Sequence, residues 1–170
     1  MKTLFLMRHA KSSWDDPKLA DQDRPLAPRG HKAAARMAEY LRKNGVKPSV
    51  VLCTSAKRAR QTLEHLRPAL PKETTVKVEP RLYTAGSRDL MTRLRRLSPT
   101  AASVLVVGHN PAMQELVMEL ASKDPKLKAV RNKFPTAALA VLKAPTDEWR
   151  QLSPGEATLV EFVTPKGLEG

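Results

Sequence analysis

Cysteine is nearly absent from this chain. Cys53 is the only one, which excludes a disulfide framework and any cysteine-rich zinc or iron–sulfur centre. Aromatic residues make up only 4% of the sequence, and the basic–aromatic interleaving that stacks single-stranded nucleic acid is not found. Long apolar runs are missing too. Only five residues, Thr3 to Met7, separate Lys2 from Arg8, too few for the apolar core of a signal peptide, and no stretch approaches a membrane span. A cytosolic setting without a membrane anchor is therefore expected. The last shortage is of acid: 17 Asp and Glu face 30 Lys and Arg, for a net charge of +13 and a pI near 10.2.

An excess of that size points to an anionic partner, whether nucleic acid, phosphate or an acidic surface. It is unevenly placed. Residues 1–60 carry fourteen basic and five acidic side chains, whereas residues 61–120 and 121–170 each carry eight and six. The densest local cluster, Arg93, Arg95 and Arg96, lies in a leucine-bearing stretch and reads as a solvated helix face. With 170 residues, of which 41% are hydrophobic, the chain can bury a core and is expected to form a single compact domain over residues 1–170.

The apolar run Lys2 to Met7 reads as a buried strand. An Asp- and Pro-rich loop, Ser12 to Pro28, comes next. His31 to Lys43 carries Ala34, Met37, Ala38 and Leu41 on one face and predicts an amphipathic helix, stopped by Gly45. Further strands are expected at Ser49–Cys53, Thr75–Val78, Ser103–Val107, Ala137–Leu142 and Thr158–Val163. Helices are expected at Lys57–Leu70, from Ser87 to about Leu97, and from Pro111 to about Ala121. Residues 122–136 read as a basic, irregular surface segment. Strands that alternate with helices and are continuously apolar predict an α/β fold, with a mostly parallel central sheet covered by helices on both faces.

In such sheets ligands sit beyond the carboxyl ends of the strands. Arg8-His9 follows the first strand, Thr54-Ser55-Ala56-Lys57-Arg58 the second, and Gly108-His109-Asn110-Pro111 the strand Ser103–Val107. Two histidines and at least two arginines thus leave strand ends on one edge of the sheet. Arginine does not ligate metals and its charge repels them, so no metal and no cofactor are expected. The same set suits an oxyanion. Guanidinium forks match phosphate oxygens bidentately, neighbouring cations hold an imidazole neutral, and a neutral imidazole can attack phosphorus. Phosphoryl transfer through a phosphohistidine intermediate is the expected chemistry. No P-loop and no dinucleotide-binding glycine motif is present.

Several separated segments resemble one family. Arg8-His9-Ala10 resembles the Arg-His-Gly signature of the histidine phosphatase superfamily. Thr54 to Thr62 resembles its second-strand motif ending in Arg-Ala-x-Gln-Thr, and Gly108-His109-Asn110-Pro111 its second catalytic histidine segment. Asp23-Arg24-Pro25-Leu26, Arg29-Gly30 and Leu82-Tyr83 are similar to the short SixA-type phosphohistidine phosphatase branch. The resemblance spans about residues 1–143 and implies a phosphoglycerate-mutase-like three-layer sandwich. It also implies roles: His9 as nucleophile, Arg8 and Arg58 on the phosphoryl oxygens, His109 as a hydrogen-bond donor to the transferring group, and Arg24 facing the phosphate. Asn110 and Ser12 would line the pocket. The partner implied is a phosphorylated protein, such as a histidine-phosphotransfer domain.

One departure bears on the substrate. Many relatives carry a glutamate general acid after the third strand, where this chain reads Arg81-Leu82-Tyr83-Thr84-Ala85-Gly86. An alkoxide leaving group gains about 10²–10⁴-fold from a positioned acid; imidazole, a far weaker base, needs less. The absence favours phosphohistidine, with Asp15, Asp16, Asp21 and Asp23 left open as substitute acids. The alternatives are a small phosphorylated metabolite hydrolysed by the same mechanism, and a non-catalytic module binding phosphate or nucleic acid, against which the intact Arg8, His9, Arg58 and His109 argue. His31 and His65 read as surface or packing residues, Cys53 as a buried hydrophobe, and Trp14 as a pocket wall or a packing residue. Asp21 and Asp23 read as simple partners of Arg24 and Arg29.

Overall fold

The expected apolar runs form β1 (Lys2–Arg8), β2 (Val50–Thr54), β3 (Thr75–Glu79), β4 (Ser103–Gly108), β5 (Leu139–Ala144) and β6 (Thr158–Val163) in a computed structural model describing residues 1–169. They make one sheet in the order β3-β2-β4-β1-β5-β6. The helices are α1 (Pro28–Lys43), α2 (Lys57–Leu66), α3 (Ser87–Arg95), α4 (Ala112–Leu120) and α5 (Leu127–Asn132).

Because strand side chains alternate between faces, β1 and β4 feed two cores. Leu4, Leu6, Val104 and Val106 pack with Leu90 and Leu94 of α3, Leu116 and Leu120 of α4, and Leu127 of α5. Met7, Leu105 and Val107 pack with Met37 and Leu41 of α1 and Leu63 and Leu66 of α2. Both faces are therefore covered, and the strands read as unbroken apolar runs for that reason. Each fully buried Leu contributes about 1.5–3 kcal/mol from its removal from water.

The sheet is mixed. The strands β3, β2, β4 and β1 run parallel, whereas β5 runs antiparallel to β1 and to β6. Helix α1 begins three residues before its expected start, with Pro28 in the first turn, where a missing N–H costs nothing. Helix α2 stops at Leu66 rather than Leu70 and gives way to a 3-10 turn at Arg67–Ala69, since Pro68 supplies no donor to continue the α ladder. The segment 122–136 is not irregular. It contains α5, whose Leu127 and Val130 are buried one turn apart, followed by buried Phe134. The arginine cluster of α3 is only partly solvated: Arg93 pairs with Glu79 at 2.8 Å and Arg95 Nε donates to the Leu152 carbonyl, leaving Arg96 exposed.

Candidate active site

Strand register brings the sequence-predicted residues together. Arg8 lies level with Gly108 across the β1–β4 pair, and Cys53 lies level with Val107 across the β2–β4 pair. The three carboxyl ends are thus flush, and the segments leaving them emerge at the same edge. A cleft of about 530 Å³ opens there, lined by Arg8, His9, Ser12, Arg24, Arg58, His109 and Asn110. All seven expected residues share it.

His9 is buried, and its orientation follows from its neighbours. Its Nδ1 lies 2.7 Å from the Ala10 carbonyl oxygen. A carbonyl can only accept, so Nδ1 carries the hydrogen and Nε2 holds the lone pair. Arg58 Nε donates to that Nε2 at 3.3 Å. The motif containing Arg58 also fixes the surrounding backbone. Thr62 Oγ1 donates to the Arg58 carbonyl (2.7 Å) and accepts from the Ala10 N–H (3.0 Å), and Gln61 Oε1 accepts from the Leu26 N–H (2.7 Å). Helix α2 therefore clamps both the residue after His9 and the start of the segment leading into α1.

The ring of His109 meets that of His9 edge-on at 5.1 Å between centroids, and Tyr83 packs edge-on against its other side at 5.5 Å. His109 Nε2 is 2.7 Å from Thr54 Oγ1, the hydroxyl of the last β2 residue. Arg8 donates from one terminal nitrogen to the Phe134 carbonyl at 3.0 Å, and Asn110 Nδ2 donates to the same oxygen at 3.3 Å. Arg8 Nε and His109 Nδ1 are buried without a partner among the described residues. Leaving such a group unpaired costs about 1–3 kcal/mol, so the floor of the cleft is unsaturated toward an oxygen-rich ligand.

The outer wall is built on Asp21. Its carboxylate accepts from Arg24 (3.0 Å), from Arg58 (3.0 Å) and from the Tyr83 hydroxyl, while its carbonyl accepts from Arg58 at 2.8 Å. Arg24 further donates to Ser12 Oγ at 2.5 Å and to the Ser13 carbonyl at 3.1 Å. Its guanidinium also stacks 3.1 Å over the Trp14 ring. Trp14 is 76% exposed; it is a wall of the cleft mouth, not a packing residue. The pairing expected of Asp21 with Arg24 is present, and Arg58 takes the place of Arg29. Tyr83 and Thr54 are the residues that sequence reasoning missed as site groups, although Tyr83 stood in a recognised segment; Asp21, left open as a substitute acid, is the carboxylate on which the wall is built. His31 and His65 lie away from the cleft and contact each other, Nδ1 to Nε2, at 2.9 Å.

Burial pushes both catalytic-edge histidines toward the neutral form. His9 is lowered to about 3, chiefly by desolvation and then by His109, Arg58 and Arg8, against the opposing effect of the Ala10 carbonyl. His109 is lowered to about 4 by desolvation and by Arg58 and Arg8, with Asp21 opposing. Asp21 itself is lowered to about 2 by its bonds from Tyr83, Arg58 and Arg24, against partial burial, and is ionised at any working pH. Cys53, buried beneath the site, is pushed up to about 12 by desolvation and is not a nucleophile. Among the described residues no group of three or more His, Cys, Asp or Glu side chains is placed to hold a metal ion.

An α/β sheet edge with neutral imidazoles set among fixed guanidiniums defines an oxyanion-binding histidine site. The histidine phosphatase superfamily (branch 1) model matches residues 4–86. An uncharacterized protein of Mycobacterium tuberculosis is 40% identical over 164 residues, covering 94% of this chain and all of that one. The phosphohistidine phosphatase SixA of Escherichia coli is 34% identical over 119 residues, 69% of this chain and 73% of that one. A solved structure of the protein histidine phosphatase SixA complexed with tungstate superimposes with a TM-score of 0.79 at 28% identity, covering 98% and 99% of the two chains. The chain belongs to the histidine phosphatase superfamily, with SixA-type phosphatases among its relatives. Its fold is the phosphoglycerate-mutase-like sandwich that the sequence led one to expect, and its activity class is that of a phosphatase.

Proposed function

We propose that this phosphatase removes the phosphoryl group from phosphohistidine on a protein partner, carrying it transiently on His9. The observation that carries the reading is the tautomer of His9: with its hydrogen held by the Ala10 carbonyl, the free lone pair is on Nε2, beside Arg58. In the first step Nε2 attacks phosphorus and the P–N bond of the substrate breaks. The bonding electrons return to the departing imidazole nitrogen, which takes a proton from solvent. In the second step water attacks the phosphorus, the P–Nε2 electrons return to His9, and inorganic phosphate leaves. Arg8, Arg58 and Arg24 balance charge on the phosphoryl oxygens. Thr54 Oγ1 already accepts from the Ala56 N–H. The hydroxyl keeps a second lone pair and its hydrogen, so it can serve either tautomer of His109; in the tautomer where it donates to Nε2, the unpartnered Nδ1–H of His109 is the donor for the transferring group.

Two features favour phosphohistidine over an alkyl phosphate. First, among the described residues no carboxylic acid is in place to protonate an alkoxide, since the one carboxylate lining the cleft, Asp21, is held ionised by three donors. Second, the mouth is walled by an exposed Trp14 rather than closed over, which suits a histidine borne on a macromolecule. The E. coli relative is a phosphohistidine phosphatase, and the tungstate in the solved relative is itself a tetrahedral oxyanion. A panel of phosphohistidine peptides, sugar phosphates and nucleotides tests the substrate claim. The highest kcat/KM is expected for phosphohistidine; preference for a sugar phosphate would defeat the claim and leave the chemistry standing.

A further inference from the structure

A second groove, of about 630 Å³, runs along the N-terminal half of α1. Among the described residues its walls carry Lys11, Arg29, Lys32, Arg36, Lys133 and Lys166 against one acidic side chain, Glu169. Arg29, Lys32 and Arg36 stand at i, i+3 and i+7 of the helix and share a face. Lys11 reaches in from the segment after β1, Lys133 from beyond α5 and Lys166 from near the C-terminus. Only Arg36 has a carboxylate partner, Glu169 at 2.8 Å; the other five form no ion pair among the described residues. Cations gathered in this way repel one another and create a field that an anionic occupant relieves.

Lys11 and Thr136 line both this groove and the catalytic cleft, so the two are continuous. No aromatic side chain lines the groove, which leaves no platform for stacking bases. We propose that it docks an acidic segment of the phosphorylated protein, adjacent to the phosphohistidine. This rests on the phosphohistidine reading above and extends it to the partner. Arg29 to Arg36 spans about 10 Å of helix at 1.5 Å per residue, which an extended peptide crosses in about three residues. The acidic side chains therefore belong within a few positions of the phosphorylated histidine. The positive charge outside the cleft then has a role, steering and holding the acidic flank while the cleft takes the phosphoryl group.

The test uses two phosphohistidine peptides, one flanked by Asp and Glu and one by Asn and Gln, alongside an aryl phosphate. The acidic peptide is expected to show about ten-fold higher kcat/KM, expressed in KM, with the advantage lost toward ~1 M salt, where the screening length is about 3 Å. Combined Arg29→Glu, Lys32→Glu and Lys133→Glu should abolish that preference and leave the neutral peptide and the aryl phosphate unaffected within about two-fold. Equal kcat/KM for both peptides, or a preference that survives charge reversal, would overturn the docking proposal and spare the phosphohistidine reading. So would a single-stranded oligonucleotide that competes more strongly than an unphosphorylated acidic peptide. Hydrolysis of the aryl phosphate but of neither peptide would instead show that the phosphohistidine reading has failed, and the docking proposal with it.

Discussion

One buried imidazole, His9, and one half-buried imidazole, His109, held neutral by desolvation and by arginines, set the working pH range. A nucleophile with a depressed folded pKa loses its lone pair only as pH falls through that depressed value, so His9 near 3 and His109 near 4 stay uncharged well below neutrality. For an aryl phosphate, kcat/KM corrected for substrate ionisation should be flat from about pH 8 to about pH 5. An acidic limb centred near the ordinary histidine value of 6.5 would show that the environment does not shift them as described. Asp21 gives a second test. Removing a general acid costs about 10²–10⁴-fold, yet a carboxylate near 2 has no proton to give. Asp21→Asn should therefore lower phosphohistidine hydrolysis by less than about ten-fold, whereas a hundred-fold loss with a displaced basic limb would mean that Asp21 is the acid. His9, Arg8, Arg58 and His109 were legible in the sequence because each lies within a few residues of a strand end, and a strand end fixes a place. Asp21 and Tyr83 were not legible as partners: they are 62 residues apart and meet only when the first loop folds over the cleft.

The first loop is held by helix α1. The Lys11 carbonyl accepts from the Ala27 N–H at 2.9 Å, Ser13 N–H donates to the Pro25 carbonyl at 2.8 Å, and Ser12 bridges to Leu26. Gly30, in the first turn of α1, permits this approach, since a Cβ there would stand 2.1 Å from the Lys11 carbonyl oxygen. That contact is with backbone and cannot be relieved by rotating a side chain. Gly30→Ala should cost about 1–3 kcal/mol as overpacking and reduce kcat by displacing the segment after His9. Denaturant melts and steady-state kinetics would check both, and a variant indistinguishable from the parent would show that the loop and helix are not coupled. The direction of β5, by contrast, is not written in its own residues. The apolar run at Ala137–Leu142 predicted a strand but carried no sign of its direction, because alternation and burial look the same in both. Direction is decided by the connection, and here β5 enters beside β1 the other way. Helix α5 was hidden by its basic residues, Lys128 and Arg131, although Leu127 and Val130 keep helical spacing.

Across the whole molecule, two groups of cations stand out within the charge of +13. One is internal to the cleft, where Arg24 and Arg58 are more than nine-tenths buried and engaged with Asp21. The other lies outward along α1 and its neighbours, on the groove that meets the cleft at Lys11. Composition alone pointed to an anion without saying which. The sheet order narrows the choice, because β4 lies between β1 and β2 and so brings the strand ends that lead to His9, His109 and Arg58 to one edge. The proposed chemistry depends throughout on His9 as the phosphoryl carrier. The most direct test is to quench the enzyme into alkali during turnover of an aryl phosphate, where phosphohistidine survives, and to locate the adduct by peptide mass spectrometry. One phosphoryl group is expected on His9, absent in His9→Ala. An adduct on His109, or steady turnover with no adduct in the presence of excess substrate, would show that His9 is not the carrier.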